Sequence, residues 1–240
     1  MKTHPRPLHA ISGKATSEYQ MLAGRDSRSQ EFLRVMRISR EFIRGFRALH
    51  HIGPCITFFG ASRFGDDHPH YEPSRQLAQR VAELGFNIIT GGGPGLMEAA
   101  NRGARDGGTI SIGATIDIGD EPHNQFIDRR IAFHYFFARK VILVKYSYGF
   151  VMLPGGMGTL DELFEAVTLV QTGRLSDFPI ILYGQEYWQG LVDWLRDVPL
   201  AEGAFSEAQL ARIRLTDDDD EVVDRLTRLA RQLHLGPARP

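Results

Sequence analysis

The spacing of apolar residues along this 240-residue chain changes several times, and each change marks an element. Between Ser27 and His50, the residues Phe32, Val35, Met36, Phe42, Ile43, Phe46 and Leu49 recur at helical spacing, with Arg and Glu filling the other side. That predicts a long amphipathic helix over about 27–50, its stripe packed on its own sheet or on a second copy of the chain. Beyond Gly53-Pro54, short apolar runs alternate with helical patterns: strand 55–59, helix 71–84, strand 86–90, a helix ending near Asp106 and strand 109–115. A polar stretch through Gly119-Asp120-Glu121-Pro122 follows. The apolar segments 133–137 and 149–153 both read as buried strands. Val141-Ile142-Leu143-Val144 between them has strand propensity, yet that position predicts a short crossover helix over 139–147. Helix 159–172, strand 179–183, helices 186–196 and 206–212, a short strand 213–215 and a last helix 218–233 complete the pattern. Residues 1 to about 25 are polar and proline-bearing with no period, which predicts a flexible N-terminus. The rest, 26–240, reads as a single α/β domain: a doubly wound parallel sheet flanked by helices over about 54–235, with the extra N-terminal amphipathic helix before it.

Composition narrows this little. The formal net charge of −1 gives no global electrostatic reason for binding nucleic acid or an anionic membrane. No apolar run is long enough to span a bilayer, and no signal core follows the N-terminus. The single cysteine, Cys55, excludes an intramolecular disulfide and points to a reducing compartment, so a cytoplasmic protein is expected. Cys55 opens an apolar strand and reads as buried filler. The acidic run Asp217 to Glu221 reads as a helix start rather than a metal site. His123, His134 and His50-His51 have no ligand partners at metal spacing. Trp188 and Trp194 read as packing.

Two glycine-rich turns carry the candidate chemistry: Thr90-Gly91-Gly92-Gly93-Pro94-Gly95 and Leu153-Pro154-Gly155-Gly156-Met157-Gly158-Thr159. Each joins an apolar strand to a helix, so each aims backbone N–H groups and the positive end of a helix dipole at one point, an arrangement suited to phosphate. The first turn misses the dinucleotide fingerprint, because Glu98 stands where the third glycine belongs, and no turn ends in Gly-Lys-Ser/Thr. NAD and ATP are disfavoured, and a cradle for a single phosphate remains. Ser62, after the first strand, offers a hydroxyl to such a phosphate or serves its turn. Thr159 and Glu162 form a capping box, or Glu162 is free to act as a catalytic carboxylate. A carboxylate beside a bound sugar stabilises positive charge at the anomeric carbon or takes a proton from water. Arg139 and Lys140 open the crossover helix, where the dipole disfavours cations. An Arg fork on a carboxylate would orient it, lower its pKa and keep it ionised.

These motifs resemble the LOG family, the cytokinin-activating phosphoribohydrolases long labelled lysine decarboxylases. Its marker Pro-Gly-Gly-x-Gly-Thr-x-x-Glu is complete as Pro154 to Glu162. Its upstream glycine turn followed by Leu-Met is similar to Gly91-Gly92-Gly93-Pro94-Gly95-Leu96-Met97, and its Arg-Lys pair to Arg139-Lys140. The resemblance covers about residues 54–185. It implies a Rossmann-like fold and hydrolysis of the N-glycosidic bond of a nucleoside 5′-monophosphate. It further implies no cofactor or metal and assembly as a homodimer or larger. Arg139 and Glu162 would be the catalytic pair, while Ser62, Gly91, Gly92, Gly93, Gly95, Met97, Lys140, Gly155, Gly156, Gly158 and Thr159 would hold the substrate. The old decarboxylase label is rejected: pyridoxal phosphate chemistry needs a Schiff-base lysine with a pyridinium partner, and neither is evident. A non-catalytic nucleotide-sensing module of the same fold is the alternative.

Overall fold

A computed structural model of the chain describes residues 17–22, 24, 26–116, 123–175 and 178–236. The polar stretch at Gly119-Asp120-Glu121-Pro122 and most of the N-terminus expected to be flexible lie outside them. Within that N-terminus, Ser17–Leu22 forms a short helix, α1, where none was expected. The elements that follow are α2 (Arg28–Leu49), β1 (Cys55–Phe59), α3 (Tyr71–Glu83), β2 (Asn87–Thr90), α4 (Leu96–Asp106), β3 (Ser111–Ile116) and β4 (Arg129–Phe133). Then come α5 (Phe136–Tyr146), β5 (Ser147–Met152), α6 (Met157–Gln171), β6 (Ile180–Tyr183), α7 (Gln185–Leu195), α8 (Glu207–Leu210), β7 (Ile213–Thr216) and α9 (Asp219–Gln232), with a π-helical turn at Arg196–Leu200 after α7.

The strands form one sheet in the order β4-β3-β2-β1-β5-β6-β7, every neighbouring pair parallel. The chain winds outward from β1 to β4, then returns to lay β5 on the other side of β1. This is the doubly wound, Rossmann-like fold. Its reversal between β1 and β5 opens a crevice beyond the carboxyl ends of the strands, the usual ligand position in such sheets. β1 is buried along its whole length and alternates its faces: Ile56 and Phe58 pack with residues of α3, α4 and α9, and Cys55 and Phe59 with residues of α2, α5 and α6. Burial pushes the Cys55 thiol up to about 12, as a buried filler requires.

The expected strand over 133–137 is instead β4 at Arg129–Phe133, and Phe136-Phe137 begin α5. β4 is an edge strand, with Arg129 and Arg130 exposed and Ile131 and Phe133 buried, so its apolar signal is weak and the run beside it attracted the assignment. Because α5 starts at Phe136, Arg139 and Lys140 sit beyond its first three residues, where the dipole disfavours cations less than the sequence reading supposed. The α2 stripe also divides. Leu49 is buried and Phe42 and Phe46 pack on the core, whereas Phe32, Val35, Met36 and Ile43 are exposed. The side that meets the protein centres on Glu41, Gly45 and Leu49, so the apolar stripe overlaps only one flank of it. Trp188 is buried and donates to the Met152 carbonyl at 3.2 Å, but Trp194, six residues on, is exposed on another face.

Asp218 caps α9 by accepting from the Asp220 and Glu221 N–H groups, so the acidic run does start a helix. No described helix is long and apolar enough to cross a membrane.

Candidate active site

The site assembles where β1, β2 and β5 end. After β5, Gly156 is the N-cap residue of α6, whose start has neither a side-chain cap nor an acid in its first turn. The positive end of a fifteen-residue helix therefore faces the crevice without an internal counter-charge. Thr159 is the third residue of that helix rather than its cap, which removes the capping-box alternative for Glu162. Gly155 packs so closely on Thr159 that a Cβ there would meet its Oγ1 at 2.1 Å.

The first glycine turn is held from behind by a buried polar network. The Thr90 hydroxyl donates to Asn101 Oδ1 at 2.6 Å and accepts the Gly92 N–H at 2.9 Å. Asn101 Nδ2 reaches Ser111 Oγ at 2.8 Å and the Ile112 carbonyl at 3.3 Å. Asn124 Nδ2 donates both to Asn101 Oδ1 and to the Gly93 carbonyl, each at 2.9 Å. Gly95 has φ +69° and lies against the backbone of Ala61 and Ser62, so this turn also locks the loop after β1. Neither Asn carried a recognisable motif. Their signal exists only when β2, α4 and β3 are brought together.

Between the two turns lies a cavity of about 560 Å³, a size suited to a small-molecule ligand. Glu162 sits in its wall, only 2 % exposed, with neither carboxyl oxygen hydrogen-bonded. Arg139 Nη2 stands 3.9 Å from Glu162 Oε1, beyond hydrogen-bond length. The Lys140 ammonium contacts Asp161 at 2.8 Å and Glu165 at 2.7 Å. Burial raises the Glu162 carboxyl to about 7, against the opposing pull of Lys140 and Arg139. The expected Arg fork that would keep this carboxylate ionised is thus replaced by one long ion pair, and desolvation wins. A carboxyl group poised near neutrality can accept or return a proton at physiological pH.

Of the residues singled out from sequence, Ser62, Gly91, Met97, Arg139, Gly156, Gly158, Thr159 and Glu162 line the cavity. Gly92, Gly93, Gly95, Gly155 and Lys140 do not. Gly92 faces Thr115 and Ile127, Gly95 the Ala61-Ser62 backbone and Gly155 the Thr159 side chain, while Gly93 lies against Met97. Lys140 is held by its two acids. Sequence reasoning missed Arg63 and Phe64, which follow Ser62, and Tyr187 of α7, which donates to the Gly155 carbonyl at 3.0 Å. Phe64 stacks on His68 with centroids 3.8 Å apart and meets Tyr187 edge-on. Among the described residues, no group of three or more His, Cys, Asp or Glu is placed to hold a metal ion.

A family model described as "Possible lysine decarboxylase" matches residues 97–226, more than half of the chain. The chain is 28 % identical over 179 residues to a cytokinin riboside 5′-monophosphate phosphoribohydrolase of Arabidopsis thaliana, covering 73 % of this chain and 82 % of that one. It is 30 % identical over 152 residues to the protein of the same name from Mycobacterium tuberculosis, covering 61 % of this chain and 80 % of that one. A pyrimidine/purine nucleotide 5′-monophosphate nucleosidase of Escherichia coli K12 is 28 % identical over 156 residues, which is 59 % of this chain and 34 % of the larger enzyme. Among solved structures, the molybdenum cofactor binding protein of Rippkaea orientalis superposes with a TM-score of 0.55 at 22 % identity, over 73 % of this chain and 96 % of that one. The Moco carrier protein of Chlamydomonas reinhardtii gives 0.53 at 19 % identity, over 75 % and 99 %. At these identities the two structures speak for the fold alone.

Proposed function

The chain belongs to the LOG-type family that carries the possible-lysine-decarboxylase description, and from that premise we propose that it hydrolyses the N-glycosidic bond of nucleoside 5′-monophosphates, releasing free base and ribose 5-phosphate. The observation that carries this reading is Glu162: a buried carboxyl without a hydrogen-bond partner, raised to about 7, in the wall of a cavity whose rim is an uncapped helix start. A structural cap would be partnered, and a purely nucleotide-sensing module has no need of such a group.

The 5′-phosphate is held at the α6 start by backbone N–H groups around Gly156, Met157 and Gly158, with Ser62 and Thr159 supplying hydroxyls. The first turn is less suited to the anion, because Glu98 occupies the first turn of α4, where it accepts from the Tyr71 hydroxyl. Its Gly91 and Met97 shape the adjoining wall. Anchoring the phosphate fixes the ribose against Glu162. As the C1′–N bond breaks, its electron pair leaves with the base. The water oxygen bonds to C1′, the proton it loses passes to Glu162, and that proton is then given up to the released base, directly or through solvent, which restores the carboxylate. The Arg139 guanidinium, 3.9 Å away, favours the carboxylate form by its charge.

AMP is the first substrate to test. Purified chain incubated with AMP should release adenine and ribose 5-phosphate in equal amounts. Saturable AMP binding with no adenine released would favour the sensing module. The exposed Phe32, Met36 and Ile43 of α2 support assembly as a homodimer, and a sedimentation mass of one chain would refute it. The free thiol and the absence of a membrane-spanning described helix agree with a cytoplasmic location.

A further inference from the structure

The start of α5, the helix that carries Arg139, lacks the groups a helix start normally has. Tyr135 at the N-cap makes no side-chain cap bond, and no acid lies in the first turn. The acids come instead from the N-terminal helices. Glu41 of α2, 5 % exposed, accepts the His134 N–H at 3.0 Å, and the same oxygen lies 2.7 Å from His134 Nδ1. Glu18 of α1 accepts the Phe136 N–H at 3.3 Å. The docking behind these contacts is tight. A Cβ at Gly45 would stand 2.9 Å from Ile142 Cδ1 of α5, Arg44 donates to the Ala132 carbonyl, Arg129 Nη1 donates to the Ala48 carbonyl at 2.8 Å, and the Tyr146 hydroxyl donates to the Phe46 carbonyl at 3.2 Å.

We infer that Glu41, assisted by Glu18, is a positioning residue: it fixes the segment that leads into α5 at His134, while Glu18 takes the first N–H of the uncapped helix, and so the Arg139 guanidinium is held at its distance from Glu162. A buried carboxyl group on the inward side of an otherwise apolar-flanked helix is costly to keep; its Oε1 is bonded to His134, the residue before the N-cap of α5, while its Oε2 has no hydrogen-bond partner. Both charges that oppose the burial of Glu162 reside on α5, Arg139 and Lys140, while its own helix adds the like charges Asp161 and Glu165. A shift of α5 is therefore read out at Glu162.

The inference rests on the proposed hydrolysis, and its test separates the two. In Glu41→Leu, kcat for AMP should fall about tenfold or more, the scale expected for a misplaced active-site group, with KM changed less than about threefold. The acidic limb of its kcat/KM profile should move to higher pH as Arg139 withdraws. Glu41→Gln, which keeps an oxygen to accept the His134 N–H, should retain most activity and the wild-type limb. A purely structural role would lower the folded fraction without moving the limb. If Glu41→Leu does not fold, Glu18→Ala decides, since it removes the acceptor of the Phe136 N–H at the start of α5: its limb should also rise. Wild-type turnover with kcat and limb unchanged in a folded Glu41→Leu, or in Glu18→Ala where that variant decides, overturns the inference. No turnover by wild type overturns the proposed reaction instead.

Discussion

Glu162→Gln should abolish adenine release from AMP while making the protein more stable above neutral pH. Removing a general base costs about 10²- to 10⁴-fold in turnover, and Gln can neither take a proton from water nor carry the negative charge that offsets a cationic sugar. The stability gain follows from the same burial. In the unfolded chain this carboxyl titrates at the ordinary 4.5, and in the folded chain at about 7. Between those values the folded chain binds the extra proton, so the contribution of this group to stability is full below 4.5, declines as pH rises and is lost above about 7. At about 1.4 kcal/mol per unit, the wild-type protein gives up roughly 3 kcal/mol across that window. The Gln variant does not titrate. Its melting temperature should exceed that of wild type by several degrees at pH 8 and converge with it near pH 4.5. Equal turnover would remove Glu162 from the reaction, and a variant less stable than wild type at pH 8 would show that the carboxylate is stabilised after all.

Asn101→Ala should be the most damaging substitution outside the cavity. Its side chain is fully buried and bonds Thr90, Ser111, the Ile112 carbonyl and Asn124. Truncation strands several of these at once. At about 1–3 kcal/mol for each buried group left without a partner, a loss of at least about 3 kcal/mol is expected, read as a fall in the urea midpoint with an unchanged m-value. The first glycine turn is tied to this network through Thr90 and Asn124, so KM for AMP should rise in whatever fraction remains folded. A loss under about 1 kcal/mol would mean that water replaces the amide and that the network does not hold the turn.

The legible parts of the fold were those where one residue type recurs at one period. Cys55–Phe59, Asn87–Thr90 and Ile180–Tyr183 are central strands packed on both faces, and their apolar runs announced them. Arg129–Phe133 at the sheet edge has one solvated face, and its run of charges hid it. In α2, the residues that actually turn inward include Glu41 and Gly45, a charge and a glycine that no hydrophobicity pattern selects. Both are explained by α5 and the residues leading into it, about ninety residues further on: one holds His134 ahead of the helix, and the other lets α5 come close.

The site divides in the same way. Glycine spacing, the Arg-Lys pair and the acid one turn into a helix are local patterns, and through them the chain by itself determined the family and the sheet class and singled out Glu162 as the carboxyl to test. Whether Glu162 closes a capping box with Thr159 turned on where α6 begins. Its ionisation turned on how deeply helix and sheet bury it, a property of packed volume rather than of neighbouring letters. Desolvation is a collective effect of atoms from β1, α5 and α6 closing over one group, so only the assembled structure could decide it.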